Sequence, residues 1–293
     1  MITVGMSTSC VYPLGVDDAF RLARSAGFGG IEVMVTNDPK TQDAAGLLSL
    51  SREYSLPILS VHAPVLLRSQ LVWGGKPRAK LERSAALARA VGASTVVVHP
   101  PFFWQGEYAR RFVPTVRAIA AEYGVSLAVE NMFPWKVGPL RVRGYSPGFD
   151  PSGADFDAMT LDFSHASLSG RDSLDLALAM GSRLRHVHLC DGTGAIDSSR
   201  IWDEHLVPGH GHEPVADVLH HLGRQGWTGA VIAEIHITDA KTDHARLESL
   251  RETVAFAREH LGRSAGGSSA PRGGGPRTGS IPLGRPAPRR AAS

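Results

Sequence analysis

Eight short runs of β-branched and other apolar residues recur along the first 262 residues, and stretches with helical periodicity separate them. The runs are ITVGMS (2–7), GIEVMV (30–35), PILSV (57–61), STVVV (94–98), SLAVE (126–130), MTLD (159–162), RHVHL (185–189) and AVIAE (230–234). Several are apolar without alternation, which is typical of parallel strands covered on both faces. Eight strands alternating with helices over about 260 residues predict an α/β fold, a single-domain (β/α)8 TIM barrel.

The stretches between the runs carry helix signals. Glycine follows the last periodic residue of several of them, as at Gly27, Gly92 and Gly124, and glycine is the usual C-terminal cap of a helix. The predicted helices include 16–26, 77–91, 107–123, 173–180, 215–222 and 243–261. The rival architecture is an open, doubly wound sheet, which usually carries a glycine-rich phosphate turn after its first strand. The segment STSCVYPLG (7–15) contains no such turn, so the barrel is favoured.

The positive net charge of +3 is located in one segment. Residues 263–293 contain six arginines and no acidic residue, and glycine, proline, serine and alanine make up most of the rest. Without those six arginines, the net charge of residues 1–262 is −3. Such a segment buries too little apolar surface to offset its ordering entropy. We therefore expect a folded domain over 1–262 and a disordered tail over 263–293, and the basic charge does not indicate that the barrel binds nucleic acid.

Composition excludes several other classes of protein. Apolar residues make up 43% of the chain and charged residues 20%, which rules out global disorder. No apolar run approaches the roughly 18 residues of a membrane span, so no membrane partner is expected. The start MITVGMSTS does not read as a secretory signal. Because Cys10 and Cys190 form neither a metal motif nor a disulfide framework, a cytoplasmic protein is expected.

Side chains able to bind a metal end six consecutive predicted strands. They are His62, His99, Glu130, Asp162, His188 and Glu234. His165 follows Asp162 by three residues, and the loop after the seventh strand carries Asp203 and His205. The carboxyl ends of barrel strands form one rim, so these nine side chains are expected to converge there. A single histidine at a strand end is more often structural, but six such strand ends are difficult to explain by structure alone.

Four carboxylates in one barrel mouth would repel each other strongly without a cation. They are Glu130, Asp162, Asp203 and Glu234. Imidazole and carboxylate ligands without thiolate suit Zn, Mn, Fe, Co or Mg. Nine candidate ligands are more than one ion needs. Either one divalent ion uses about four of them and the rest contact substrate, or two or three ions share all nine.

The motifs at these positions resemble those of the xylose isomerase-like TIM barrel superfamily. They are SVHAP (60–64), VVHPP (97–101), VEN (129–131), LDFSH (161–165), HLCD (188–191) and the glutamate of AEIH (233–236). The resemblance covers residues 1–262, and the motifs are more specific for the superfamily than for one reaction. The superfamily includes sugar phosphate isomerases and epimerases as well as AP endonucleases of the endonuclease IV type.

In the isomerase and epimerase branch, the resemblance implies one divalent ion, Zn, Mn, Co or Mg, held by Glu130, Asp162, His188 and Glu234. Glu130 and Glu234 would move a proton between adjacent substrate carbons through an enediolate while the metal stabilises the oxyanion. His165 would bind a substrate hydroxyl, which makes it the third catalytic candidate. The partner would be a small sugar or sugar phosphate.

In the endonuclease branch, the resemblance implies up to three zinc ions and a bridging hydroxide that attacks a phosphodiester of abasic DNA. All nine positions are filled for this role: His62, His99, Glu130, Asp162, His165, His188, Asp203, His205 and Glu234. Members of the epimerase branch often carry a substrate-binding arginine where Asp203 and His205 stand. DNA is an expected partner only under this endonuclease hypothesis.

Other observations favour a small-molecule substrate. The charge of −3 on residues 1–262 is poorly suited to a DNA backbone. The loop after His62 has Val65 and Leu66 where an aromatic wedge is expected, whereas Lys136, Arg141 and Arg143 suit a phosphorylated sugar as well as DNA. We therefore expect a metal-dependent isomerase or epimerase. The zinc-dependent hydrolase is the first alternative, and a non-catalytic metal- or sugar-binding barrel is the second. A homo-oligomer is compatible with each of these functions.

Overall fold

The computed structural model describes residues 2–64, 72–137, 140–142, 144–194 and 203–262. Three features of the sequence discussed above lie outside the described residues: the tail 263–293, the pair Val65 and Leu66, and Arg143.

Eight parallel strands close into a barrel, which confirms the predicted TIM-barrel architecture. They are β1 (Thr3–Ser7), β2 (Ile31–Met34), β3 (Ile58–His62), β4 (Thr95–Val98), β5 (Ser126–Glu130), β8 (Met159–Asp162), β9 (Leu184–Leu189) and β10 (Ala230–Ala233). Neighbouring strands pair in the order β1-β10-β9-β8-β5-β4-β3-β2, and β2 closes the ring on β1. Every described residue of β4 and β8 is buried, because helices cover the outside of the barrel while side chains fill its interior.

Helices follow the strands and pack around the barrel. They are α1 (Val16–Ala26), α2 (Ala44–Tyr54), α3 (Pro77–Val91), α4 (Gly106–Arg110), α5 (Phe112–Tyr123), α6 (Phe163–Ser169), α7 (Ser173–Met180), α8 (Val215–Arg224) and α9 (Asp243–Gly262). Gly27, Gly92 and Gly124 cap their helices as predicted. Gly27 takes a left-handed φ of 94° after α1, and its N–H bonds the carbonyls of Ala23 and Arg24.

The prediction of a single helix over 107–123 is wrong, because the structure has two helices there, α4 and α5. The break falls at Arg111, whose φ of −99° and ψ of 11° lie outside the helical region. Pro114 stands three residues later, and it has no N–H to bond the carbonyl of Arg110. A helical periodicity can therefore continue through a point where the backbone hydrogen bonds are interrupted.

A small antiparallel hairpin, which the sequence did not predict, follows β5 on the loop side of the barrel. Its strands are β6 (Trp135–Val137) and β7 (Leu140–Val142), with Lys136 opposite Arg141. Its backbone is described here, but the side chains of Lys136 and Arg141 are outside the described residues.

Within the described part of the chain, none of the helices is long and apolar enough to cross a membrane.

Candidate functional site

The carboxyl ends of the barrel strands bring the nine predicted side chains into one mouth. His62, Glu130 and Asp162 are the last residues of β3, β5 and β8, while His99 and Glu234 directly follow β4 and β10. His188 precedes the last residue of β9, His165 lies in α6, and Asp203 and His205 lie in the loop between β9 and α8. Seven of these residues are at most 6% exposed, and the side chains of His99 and Asp203 are 11% and 14% exposed.

The first group, which we call the central cluster, consists of Glu130, Asp162, His188 and Glu234. Their potential ligand atoms all lie within 4.8 Å of one another. Nδ1 of His188 is 2.7 Å from Oε1 of Glu130 and 3.0 Å from Oε2 of Glu234. The same nitrogen is 3.6 Å from Oδ2 of Asp162. Three carboxylates and one imidazole nitrogen therefore converge on a single point.

A second group, the His62 cluster, shares Glu130 with the first and adds His62 and His99. Nε2 of His99 lies 2.8 Å from Oε2 of Glu130, and Nε2 of His62 lies 3.6 Å from the same oxygen. The two oxygens of Glu130 thus face different neighbours, Oε1 the central cluster and Oε2 the two histidines.

A third group, the Asp203 cluster, joins His165 and His205 through Asp203. Oδ2 of Asp203 is 2.6 Å from Nε2 of His165 and 2.8 Å from Nε2 of His205. The other ring nitrogen of each histidine faces a backbone carbonyl, at Asn131 and Glu234 respectively. Because a carbonyl only accepts, Nδ1 of both rings carries a proton and Nε2 is turned toward Asp203.

Burial and the histidine charges act in opposite directions on the carboxylates. Burial raises the pKa of Glu130, but the charges of His188 and His99 outweigh it and hold that pKa well below its ordinary value. The same balance, set mainly by His188, lowers the pKa of Glu234 to about 2. Asp162 differs, since burial raises its pKa and the neighbouring Glu130 adds to the rise. Both glutamates are therefore ionised at neutral pH and able to accept a proton.

The histidines show the complementary behaviour. Burial lowers the pKa of His165, but Asp162 and Asp203 together raise it to about 9. The pKa of His188 is raised well above its ordinary value by Glu234 and Glu130, also against burial. His99 is the exception among these ligand histidines. Burial lowers the pKa of His99 more than the charge of Glu130 raises it. A divalent cation entering these clusters would displace protons from the ligating imidazole nitrogens.

The donor set fits a divalent metal. Oε2 of Glu130 is buried and has no hydrogen-bond partner among the described residues, although His99 approaches it within 2.8 Å outside hydrogen-bonding direction. Such an oxygen is costly unless a cation or donor reaches it. Cys190 does not contribute a thiolate, because burial raises its pKa to about 12. Nitrogen and carboxylate ligands of this kind bind Zn, Mn, Fe or Co.

Several residues that the sequence analysis did not select hold the clusters in place. Asn131 clamps the backbone of Asp162, donating to its carbonyl at 2.9 Å and accepting from its N–H at 2.7 Å. Ser9, in a short 3-10 helix (Thr8–Val11) after β1, donates to Oε1 of Glu234 at 3.1 Å. Glu32 of β2 is fully buried beneath His188. An acidic residue inside the apolar run GIEVMV was the sequence signal for Glu32.

Asp191 anchors the loop that carries Asp203 and His205. Its Oδ2 accepts the N–H groups of Gly209 and Gly211, and its Oδ1 accepts those of Gly192 and Glu213. Gly211 must be a glycine, because a Cβ there would overlap the Asp191 carboxylate. The carboxylate therefore fixes the turn around Gly209 and Gly211 through four backbone hydrogen bonds.

An aromatic wall, consisting of Phe102, Trp104, Trp135 and Tyr145, borders the mouth beyond His99. Phe102 and Trp104 stack with ring centroids 4.6 Å apart, and Trp135 lies 5.4 Å from Trp104. Trp104 is 53% exposed. Phe133 lies nearer the clusters, with its ring 4.9 Å from that of His165. Exposed rings beside a polar mouth offer flat apolar faces to a ligand.

Comparison with known proteins agrees with the barrel fold. The sequence model of a family described as "Xylose isomerase-like TIM barrel" matches residues 20–260. An uncharacterized protein of Mycobacterium tuberculosis is 43% identical over 279 residues, which is 89% of this chain and 98% of that protein.

Two solved structures share the fold at lower identity. A D-tagatose 3-epimerase-like protein superposes with a TM-score of 0.62 and 22% identity, over 89% of this chain and all of that one. A D-allulose 3-epimerase from Methylomonas sp. in complex with D-allulose gives 0.63 and 17%, over 88% of this chain and 97% of that one. At these identities the likeness establishes the fold.

Proposed function

Because the chain belongs to the xylose isomerase-like TIM barrel family, we propose that it is a divalent-metal-dependent enzyme that isomerises or epimerises a small sugar or sugar phosphate. The observation that carries this proposal is the central cluster, in which Nδ1 of His188 lies within 3.6 Å of oxygens from Glu130, Asp162 and Glu234. These four residues would hold one ion of Zn, Mn, Co or Mg.

A divalent ion at this point supplies a Lewis acid that stabilises negative charge on a substrate oxygen. The proton chemistry belongs to Glu130 and Glu234. They approach His188 from different strands, Glu130 from β5 and Glu234 from the end of β10. One ionised glutamate takes the proton from a carbon beside the substrate carbonyl, which leaves an enediolate. For epimerisation, a glutamate then returns a proton to the opposite face of the same carbon; for isomerisation, it returns a proton to the adjacent carbon while the hydroxyl proton passes from one substrate oxygen to the other.

His165 and the aromatic wall would position the substrate. Nδ1 of His165 faces the carbonyl of Asn131 at 2.9 Å, which turns Nε2 toward the mouth and Asp203. We propose that Nε2 also contacts a substrate hydroxyl. The solved D-allulose 3-epimerase is in complex with a ketose, and a ketose is the first substrate class to test. A phosphate on the substrate rests on the sequence alone, since the side chains of Lys136 and Arg141 are not described.

The Asp203 and His62 clusters favour a second candidate, a phosphodiester hydrolase with up to three zinc ions. Oε2 of Glu130 faces His62 and His99, while Asp203 bridges His165 and His205. Each of the three clusters could hold one ion, and such ions would stabilise the attacking and leaving oxygens of a phosphodiester. The net charge of −3 on residues 1–262 weighs against DNA as the substrate.

Solvent hydrogen exchange tests the isomerase proposal. Enzyme loaded with Mn²⁺ or Co²⁺ is incubated in D₂O with ketoses and ketose phosphates, and deuterium beside the carbonyl is followed by NMR. We expect incorporation with at least one substrate, and Glu234→Gln should slow it by about 10²–10⁴-fold because a general acid–base group is lost. Glu248→Gln, on the exposed face of α9, is the matched control and should retain the wild-type rate.

A contrary result would be loaded wild type that exchanges no ketose hydrogen but cleaves bis(p-nitrophenyl) phosphate. That outcome would replace the isomerase with the hydrolase. Metal binding without either reaction would favour a non-catalytic binding protein.

A further inference from the structure

A buried carboxylate, that of Glu32, lies beneath the central cluster and is not one of the residues of that cluster. Glu32 is on β2, a strand that contributed no candidate to the mouth, and its side chain has no exposure to solvent. It reaches across the barrel interior to β9, where Oε1 is 3.2 Å from Nε2 of His188. The contact is on the opposite edge of the His188 ring from the three carboxylates of the central cluster.

The other carboxylate oxygen of Glu32, Oε2, contacts two further residues. Ser60 of β3 donates its hydroxyl to Oε2 at 2.8 Å, and Nε2 of His186 lies 3.0 Å from the same oxygen. Oε1 therefore has one partner and Oε2 has two, and residues of two other strands, β3 and β9, hold the carboxylate. This hydrogen bonding explains how a buried negative charge is tolerated in the barrel interior.

The contact with Glu32 determines which nitrogen of His188 keeps its proton when a metal ion binds. An ionised carboxylate can only accept a hydrogen bond, so Nε2 must be the donor. Without an ion, Nδ1 is protonated as well and donates to Oε1 of Glu130 at 2.7 Å. A divalent ion in the central cluster would displace the proton of Nδ1, and the N–H on Nε2 would stay with Glu32. The ring is also confined by packing, since His62 stacks on it at 5.6 Å with an interplanar angle of 9°, and His186 meets it edge-on at 4.8 Å.

An alternative use of Glu32, His186 and His188 is a separate metal site, because their ligand atoms also lie within 4.8 Å of one another. The position of Ser60 argues for hydrogen bonds instead. Its hydroxyl is 2.8 Å from Oε2 of Glu32 and 3.2 Å from Nε2 of His186, so it occupies the place beside these two ligand atoms that an ion would need.

We infer that Glu32 is a positioning residue that orients His188, so that Nδ1 is presented to the divalent ion of the central cluster as a ligand. This inference rests on the proposed function only in requiring that His188 bind the ion. Carboxylates that accept from the far nitrogen of a ligating histidine strengthen metal binding at many protein sites, and their loss commonly costs 10–100-fold in affinity.

Metal affinity tests the inference without any assay of turnover. Full-length wild type, Glu32→Gln and Ser60→Ala are stripped of metal and titrated with Co²⁺ against a competing chelator, and the visible spectrum of bound Co²⁺ is recorded. Glu32→Gln should weaken Co²⁺ binding by about 10–100-fold and alter the spectrum, because the amide can donate to Nε2 and favour a proton on Nδ1. Ser60→Ala removes a bond to the same carboxylate but not the His188 contact, so its affinity should fall much less.

Two results would overturn the inference: Glu32→Gln with wild-type affinity and spectrum, or equal losses in Glu32→Gln and Ser60→Ala. If Glu32→Gln does not fold, the Co²⁺-loaded wild type is decisive by NMR. It should show a hyperfine-shifted imidazole N–H that exchanges slowly with water, because Nε2 of His188 is buried against Glu32; a rapidly exchanging signal would contradict the contact. Failure of the isomerase proposal differs, since the wild type would then bind Co²⁺ and exchange no substrate hydrogen.

Discussion

Nε2 of His165 lies 2.6 Å from Oδ2 of Asp203, and the same oxygen lies 2.8 Å from Nε2 of His205. One carboxylate therefore controls both histidines of the Asp203 cluster. In the isomerase account, Asp203 orients His165 toward the substrate, whereas in the hydrolase account it is itself a metal ligand. Substitution at Asp203 distinguishes these two roles.

Asp203→Asn should leave the metal content of the protein unchanged but lower kcat/KM by about 10–100-fold. The physical reason is the loss of a charge-assisted hydrogen bond, which is worth roughly 1.5–3 kcal/mol. Metal analysis and steady-state kinetics on the same preparation provide the measurement. Loss of a bound ion in Asp203→Asn would instead make Asp203 a ligand.

The stability of the metal-free protein should depend on pH in a defined way. The pKa of His165 is raised from 6.5 to about 9, so its contribution is complete below pH 6.5 and is lost as pH rises through 9. The pKa of Glu234 is lowered from 4.5 to about 2, so its contribution is present above pH 4.5 and is lost as pH falls toward 2. The Tm of EDTA-treated protein should therefore be highest between pH 4.5 and 6.5.

His165→Gln is the variant that tests the alkaline side of this profile. It should flatten the fall in Tm between pH 6.5 and 9 relative to wild type, whatever its effect on the maximum. Thermal melts at a series of pH values measure both slopes. A wild-type Tm that rises from pH 6.5 to 9 would contradict the assigned interactions of His165.

Gly211→Ala should destabilise the loop that carries Asp203 and His205. The added Cβ would overlap the carboxylate of Asp191, and the displacement should cost about 1–3 kcal/mol of unfolding free energy. Gly153→Ala is the matched control, because a Cβ at that glycine meets nothing within 4 Å. Urea unfolding of both variants measures the difference, and equal stabilities would show that Asp191 does not fix this turn.

The sequence predicted the barrel and the rim because both follow from local patterns. Each strand reads as a short β-branched run, and residues such as Glu130 and Asp162 stand at its carboxyl end. Glu32 could not be selected in this way, since its contact with His188 joins β2 to β9 across the closed barrel. The β6–β7 hairpin and the break at Arg111 were not predicted either. Both depend on backbone hydrogen bonding, which the periodicity of the sequence does not show.

The metal content of the purified protein tests the central claim most directly. Protein prepared without added metal is analysed by elemental mass spectrometry and by native mass spectrometry of the intact chain. The account predicts one divalent ion per chain, bound by Glu130, Asp162, His188 and Glu234 and lost in Asp162→Asn. Close to three zinc ions per chain would contradict the single-ion isomerase and establish the His62 and Asp203 clusters as metal sites.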